Sequence, residues 1–180
     1  NYLNSKSYDL NDIFFTDIHG GSIVFIGSRR GTYKISRNVY KHLKIEKESL
    51  KNDKLFDEFK NIVEEVKLKT LKEIESDLKE NKKVIAYGAP AKAFTMFSFL
   101  EIDNSKIDFC VDTSETKIGK VFPKSKIPVI SEEEMKERDY DTVLVTAWNY
   151  KDDIINKSQS LFKKGTKLIF PLTVFKTHIV

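Results

Sequence analysis

The fold of this chain is decided by residues 83–92, which read KVIAYGAPAK. A short apolar run that ends at a glycine is typical of a buried strand, and Gly88 allows the tight turn that follows. Pro90 suits the first position of a helix, where its missing N–H costs nothing. The apolar pattern then predicts a helix over residues 91–100. A strand, a glycine turn and a helix in direct succession indicate one unit of an α/β fold.

The same alternation continues to the end of the chain. Ser131 starts a helix as an N-cap with a glutamate three residues later, and Gly165 ends another helix. Strands that alternate with helices favour a parallel sheet with right-handed crossovers. The sequence therefore predicts an α/β fold, with a Rossmann-like parallel sheet flanked by helices over residues 83–180. The further elements are strands at residues 107–111, 128–130, 141–147 and 167–170, the last one closed by Pro171, and a helix at residues 150–163.

The residues before this sheet begin with a polar segment, residues 1–12, which is predicted to be a linker. Short apolar runs at residues 13–18 and 22–26 flank a pair of glycines, and this pattern predicts a β-hairpin. Residues 27–48 are basic and are predicted to be irregular.

Apolar residues recur at helical spacing over residues 51–80, which predicts a long amphipathic helix. We therefore assign residues 13–82 to an N-terminal hairpin and long helix. Residues 83–180 form the Rossmann-like substrate-binding core in this division.

Composition narrows the possible functions. The 31 Lys and Arg residues are interspersed with 27 Asp and Glu residues, for a net charge of +4, so no basic tract indicates nucleic-acid binding. Cys110 is the single cysteine, which excludes an internal disulfide, and its apolar neighbours favour a buried position. No apolar run approaches the roughly 20 residues of a membrane span and no signal peptide is recognisable, so we expect a cytoplasmic protein. No pattern typical of a metal site is present.

Ligands of open α/β sheets bind beyond the carboxyl ends of the strands, near the point where the strand order reverses. Three segments follow predicted strands, at residues 87–92, at Asp112 and at residues 147–150. The topology gathers such segments on one edge, and we expect a substrate site there. Its candidate residues are Tyr87, Gly88, Ala89, Pro90, Ala91, Lys92, Asp112, Trp148 and Asn149.

Lys92 lies in the first turn of the helix predicted after Gly88. Free N–H groups and the helix dipole attract anions at this place, and a phosphate would compensate the lysine charge that the dipole disfavours. An ordinary solvated lysine fits the pattern equally well. Trp148 and Asn149 are suited to stack on and hydrogen-bond a sugar or base, and a core position for Trp148 is the alternative.

Asp112 follows Gly88 by 24 residues, where dinucleotide-binding folds place an acid on a ribose hydroxyl. The glycine pattern of those folds is incomplete, because Pro90 and Ala93 stand where it requires glycines. A proline ring at the place where the backbone approaches a pyrophosphate argues against NAD. Capping of the strand end is the alternative role of Asp112.

His19 precedes two glycines at the predicted hairpin turn. Its imidazole titrates near neutral pH and is suited to act as a general base, so His19 is the candidate catalytic residue. A single histidine is more often structural, and the pattern by itself favours that interpretation.

Taken in order, these segments resemble the C-terminal domain of sugar C-methyltransferases, which act on deoxysugars attached to nucleoside diphosphates. The run at residues 87–92 is similar to the YGAPAKG run of that domain, and Ala93 and Phe94 depart from the Gly and Asn usual there. Residues 19–22, which read HGGS, are similar to the turn that opens that domain. Residues 147–152, which read AWNYKD, are similar to its WNxxDEI run, with Ile154 close behind. The remaining similar segments are residues 107–112, 117–120 and 127–129.

The resemblance implies a division of labour between domains. The family joins a zinc module, a central domain that binds S-adenosylmethionine, and a substrate-binding domain, of which only the last is present. Residues 1–12 would then be the linker from missing upstream domains, and this chain would bind no cofactor itself. The turn at residues 88–92 would hold the diphosphate of a keto nucleotide-sugar. His19 would lie at the interdomain cleft, and the fragment alone is expected to be inactive.

The implied reaction removes a proton beside the keto group, and the carbanion then attacks the methyl sulfonium. Two other functions stay open: an NAD-dependent sugar oxidoreductase or epimerase domain, and a non-enzymatic module that binds a nucleotide. The incomplete glycine pattern weighs against the first, and cofactor binding distinguishes them.

Overall fold

The computed structural model describes residues 2–18, 21–172 and 175–180. The chain divides into two compact units, Asn1–Asn61 and Ile62–Val180. Among the described residues, no helix is long and apolar enough to cross a membrane.

The first unit is built on an antiparallel hairpin. Its elements are α1 (Tyr2–Ser5), β1 (Tyr8–Thr16), β2 (Ser22–Arg29), α2 (Arg37–Ser49) and the start of α3 (Asp53–Lys79). The two strands pair along their whole length, with an irregularity between Leu10 and Asp12.

The hairpin is longer than the sequence predicts, because β1 begins at Tyr8 and takes up residues assigned to the polar linker. Polar side chains of this part form hydrogen bonds inside the unit, although Oδ1 of Asn11 is buried with no partner among the described residues. Asn11 is buried and donates to the carbonyl of Tyr33 at 3.1 Å, and Asp12 accepts from the Ser36 hydroxyl at 2.5 Å. Segment polarity is therefore a poor guide to disorder here.

The prediction of an irregular segment over residues 27–48 is wrong for its second half, which forms α2. This helix has a weak apolar signal, since Val39 is its only buried residue among those described. The long helix is confirmed as α3. The second unit begins within α3 rather than at Lys83, because Ile74 and Asp77 of that helix are buried in its core.

The second unit contains one sheet in the order β5-β4-β3-β6-β7-β8. All neighbouring strands are parallel except β8, which runs antiparallel to β7. This is the strand order of a Rossmann-type sheet, and it confirms the α/β prediction. The elements are β3 (Val84–Tyr87), α4 (Ala91–Leu100), β4 (Cys110–Val111), β5 (Val129–Ile130), α5 (Glu132–Lys136), β6 (Thr142–Val145), a 3-10 turn (Trp148–Tyr150), α6 (Lys151–Asn156), α7 (Ser158–Leu161), β7 (Lys167–Phe170) and β8 (Lys176–Ile179).

Two predictions for the end of the chain are wrong. The strand β7 is not the last, since β8 follows it at the edge of the sheet, and its mostly polar and exposed residues gave no apolar signal. The helix predicted over residues 150–163 is interrupted at Lys157, where the backbone leaves helical geometry (φ −97°, ψ 1°).

The core covers both faces of the sheet. Val84 and Ala86 of β3 pack with Phe97 of α4 on one face. Ile85, between them, packs with Phe162 on the other. Side chains of a strand alternate between faces, so packing on both faces buries the central strands β3 and β6 almost completely. The space beyond the carboxyl ends of the strands is where ligands of such sheets bind.

Candidate functional site

The turn after β3 lies where the strand order reverses, with β4 on one side and β6 on the other. The N–H of Gly88 donates to the carbonyl of Val111 at 2.7 Å, and the N–H of Thr146 donates to that of Tyr87 at 3.0 Å. The carbonyl of Gly88 accepts from the thiol of Cys110 at 3.1 Å and also from the Thr146 hydroxyl. Both neighbouring strands therefore fix this turn.

Glycine is the only residue type that fits at position 88. Its φ is +93°, and a Cβ built there would lie 2.6 Å from the Cβ of Ala147. A side chain would therefore meet both backbone strain and a direct clash. The close approach predicted for Gly88 is present, and it is an approach to the loop after β6.

The N-terminus of α4 follows immediately. Pro90 occupies the N-cap, one position before the first helical residue, and supplies no side-chain hydrogen bond. The first intrahelical turn closes from the N–H of Ala93 to the carbonyl of Pro90 at 2.8 Å. The N–H groups of Ala91 and Lys92 therefore have no side-chain cap, an arrangement that favours an anion.

Lys92 joins this turn to the loop after β6. Its Nζ donates to Oδ1 of Asn149 at 2.6 Å and lies 4.0 Å from the ring centroid of Trp148. Burial lowers the pKa of Lys92. No carboxylate within the described part of the chain forms an ion pair with it. The lysine charge is thus held by neutral groups beside the uncapped helix end.

Asp112 is occupied by the protein itself. Its Oδ2 accepts from the N–H of Ala89 at 2.6 Å and its Oδ1 from the N–H of Ser114 at 2.8 Å, and Lys117 Nζ lies 3.2 Å away. Burial opposes ionisation of Asp112, but these hydrogen bonds and the lysine outweigh it and lower its pKa. The carboxylate therefore shapes the turn, which agrees with the alternative role given to it from sequence.

A cleft of about 620 Å³ opens at this edge. Four of the predicted site residues line it: Tyr87, Gly88, Pro90 and Asp112. Lys92, Trp148 and Asn149 form a neighbouring group of contacts, the lysine cluster. Ala91 is exposed at the start of α4 and Ala89 is buried. The predicted residues thus share one edge but form two adjoining places.

Tyr87 carries a polar contact within the cleft. Its hydroxyl donates to the carboxylate of Glu132, and its ring meets that of Phe162 edge-on at 5.2 Å. Burial, together with the Glu132 carboxylate, raises the pKa of Tyr87, so the phenol stays protonated and remains a donor.

Sequence reasoning missed several polar residues that line the cleft. Asp153 lies in α6, between Tyr150 of the preceding 3-10 turn and Lys157, which follows the helix, and all three line the cleft. Glu132 comes two residues after β5 ends. Tyr150 belongs to the segment at residues 147–150, which the sequence predicts to follow a strand, and Glu132 follows a strand in the same way, so both positions could have been predicted.

A second cleft of about 620 Å³ lies at the opposite edge, lined by Lys83, Asp108 and Pro128, which precede strands. It contains none of the predicted residues. Because ligands of such sheets bind at the carboxyl ends of the strands, the cleft beside Gly88 is the candidate site.

The two described histidines, His42 and His178, do not line this cleft. His19 lies outside the described residues, so its role stays a prediction. His42 packs against the ring of Phe15 at 4.8 Å in the first unit, and His178 belongs to β8. The described residues hold no group of three or more His, Cys, Asp or Glu side chains that could bind a metal.

Comparison with known proteins fits this architecture. A family model described as the C-methyltransferase C-terminal domain matches residues 17–173. The chain belongs to that family. The C-methyltransferase NovU of Streptomyces niveus is 29% identical to this C-terminal domain over 163 residues. Those residues cover 89% of this chain and 39% of NovU, so the domain spans about two fifths of that relative. The resemblance to C-methyltransferases is thereby confirmed.

Proposed function

We propose that this domain is the substrate-binding part of a methyltransferase that acts on a keto deoxysugar carried by a nucleoside diphosphate. The single observation that carries the proposal is the pairing of Lys92, which no described carboxylate neutralises, with the uncapped N-terminus of α4. Cations and free helix N–H groups are the groups that bind phosphates.

The turn and the cleft divide the work of binding in this proposal. Gly88 brings the backbone close to the loop after β6, and the N–H groups of Ala91 and Lys92 face the diphosphate. The cleft of about 620 Å³ lies within the range of roughly 300–1,000 Å³ typical of small-molecule sites.

The chemistry of the whole protein is part of the same proposal. S-adenosylmethionine, bound by an upstream domain, supplies the electrophilic methyl group. This chain holds the nucleotide-sugar so that the carbon beside the keto group is oriented for attack, since near-contact positioning is what such a step requires. His19 stays the candidate proton acceptor on sequence grounds alone.

Two observations support a nucleotide-sugar over NAD as the ligand. Pro90 offers no N–H where a dinucleotide fold approaches the pyrophosphate. Asp112, the residue in the position of the ribose acid, already accepts from Ala89 and Ser114.

The test is titration of the full-length enzyme with a thymidine-diphosphate sugar. A charge-assisted contact contributes about 1.5–3 kcal/mol, so Lys92→Ala should weaken binding about ten- to a hundredfold. Lys72→Ala, which removes an exposed lysine of α3, is the matched control and should bind normally. Unchanged affinity in Lys92→Ala, with the fold intact by circular dichroism, would show that Lys92 is only a surface lysine.

A further inference from the structure

Tyr150 is an exposed aromatic residue at the edge of the cleft. It keeps 59% of its surface accessible and lines the cleft together with the polar residues of α5 and α6. A large ring that no protein core covers, placed beside a cleft of nucleoside size, has the character of a stacking platform.

Glu132 is a half-buried carboxylate in the same cleft. Its partner is the Tyr87 hydroxyl, and no cation of the described residues forms an ion pair with it. A carboxylate has about four acceptor sites. Glu132 can therefore accept a further hydrogen bond from a hydroxyl group of a ligand. The oxygens of Asp112, in contrast, already contact two backbone N–H groups and a lysine.

The cleft adjoins the lysine cluster through the loop after β6. Ala147 and Tyr150 of that loop line the cleft, whereas Lys92 contacts the two residues between them, Trp148 and Asn149, and lies outside the lining. The cleft extends from this loop past the ends of β3 and β4 to α5 and α6. In a sheet of this strand order, the end of the second strand is where the nucleoside of a dinucleotide lies. A ligand whose diphosphate is held at the turn has its nucleoside within reach of the cleft.

We infer that the cleft binds the nucleoside half of the ligand, with the base stacked on Tyr150 and the sugar hydroxyl of the nucleoside donating to Glu132. This inference rests on the proposed function and deepens it, because it assigns the diphosphate and the nucleoside to different residues. Dinucleotide-binding folds bind the ribose hydroxyl with an acid in the position of Asp112. In this domain Glu132 would make that contact instead.

Stacking of the base on Tyr150 is tested by calorimetric titration of the protein with thymidine diphosphate and, separately, with inorganic pyrophosphate. Tyr150→Ala should bind thymidine diphosphate about tenfold more weakly, since stacking of one base on an aromatic ring has this magnitude. Its affinity for pyrophosphate should not change. Tyr150→Phe keeps the ring and should bind both probes normally. Tyr40→Ala removes a tyrosine of almost equal exposure, 60%, from α2 and is the matched control.

The hydroxyl contact is tested with thymidine diphosphate and its 3′-deoxy analogue. The wild-type protein should prefer thymidine diphosphate, and Glu132→Gln should lose that preference. Glu133→Gln, on the same helix but outside the cleft lining, should keep it.

The outcomes separate the two ideas. Thymidine diphosphate that fails to bind the wild-type protein overturns the proposed function and this inference together. Normal binding by the wild type and an equal affinity in Tyr150→Ala overturns only the inference. A parallel loss of pyrophosphate binding in Tyr150→Ala also overturns it, because the ring would then act on the turn and not on the base.

Discussion

Replacement of Gly88 by alanine tests the geometry on which the site depends. The residue has φ +93°, and the new Cβ would lie 2.6 Å from the Cβ of Ala147. Left-handed backbone costs about 1–2 kcal/mol for a residue with a side chain, and overpacking costs about 1–3 kcal/mol more. We expect Gly88→Ala to lower the free energy of unfolding by about 2–5 kcal/mol, a large part of the roughly 5–15 kcal/mol that holds a domain folded.

Urea unfolding followed by fluorescence of Trp148, the single tryptophan, measures this loss. Gly119→Ala is the matched control, because Gly119 also has positive φ (+78°) but has no atom within 4 Å of the added Cβ. It should show the backbone cost alone, about 1–2 kcal/mol. Adding Ala147→Gly to Gly88→Ala should recover part of the difference. Equal losses in Gly88→Ala and Gly119→Ala would refute the close approach of the two loops.

Three further predictions concern the second unit. Asp77 is buried beside Thr142 and Lys167, so Asp77→Asn should lower the free energy of unfolding at pH 7 by about 3 kcal/mol. Burial opposes ionisation of Asp77, but hydrogen bonds from Lys167 and Thr142 lower its pKa. Its contribution is therefore full above about pH 4 and lost as the pH falls further, so unfolding titrations at pH 7 and pH 3 should show the gap between wild type and variant closing. Burial raises the pKa of the Cys110 thiol, so Ellman's reagent should label it only after unfolding; rapid labelling of the native domain would contradict its buried position. Calorimetry with S-adenosylmethionine should detect no binding to this chain, and micromolar affinity would contradict the assignment of the methyl donor to another domain.

Local patterns in the sequence predict the elements of the second unit well. The helix α4 and the strand β7 have the predicted bounds, and the Ser131 cap accepts from the N–H of Glu134 at 3.1 Å as the capping box requires. Signals of this kind lie within a few residues, so they survive whatever the rest of the chain does. They fail where burial is slight, as in α2 and β8, because a weak apolar face leaves no periodicity to read.

The sequence by itself determined the alternation of strands and helices, the glycine turn at Gly88 and the gathering of candidate residues at the strand ends. Only the tertiary structure decided which of them meet. Lys92 reaches Asn149 across 57 residues, and Tyr87 reaches Glu132 across 45. Hydrophobic periodicity tells that a strand is buried but not which strand lies beside it. The partners of a polar side chain at a strand end follow from that neighbour, and they decide whether its oxygens are used up, as in Asp112, or left for a ligand, as in Glu132.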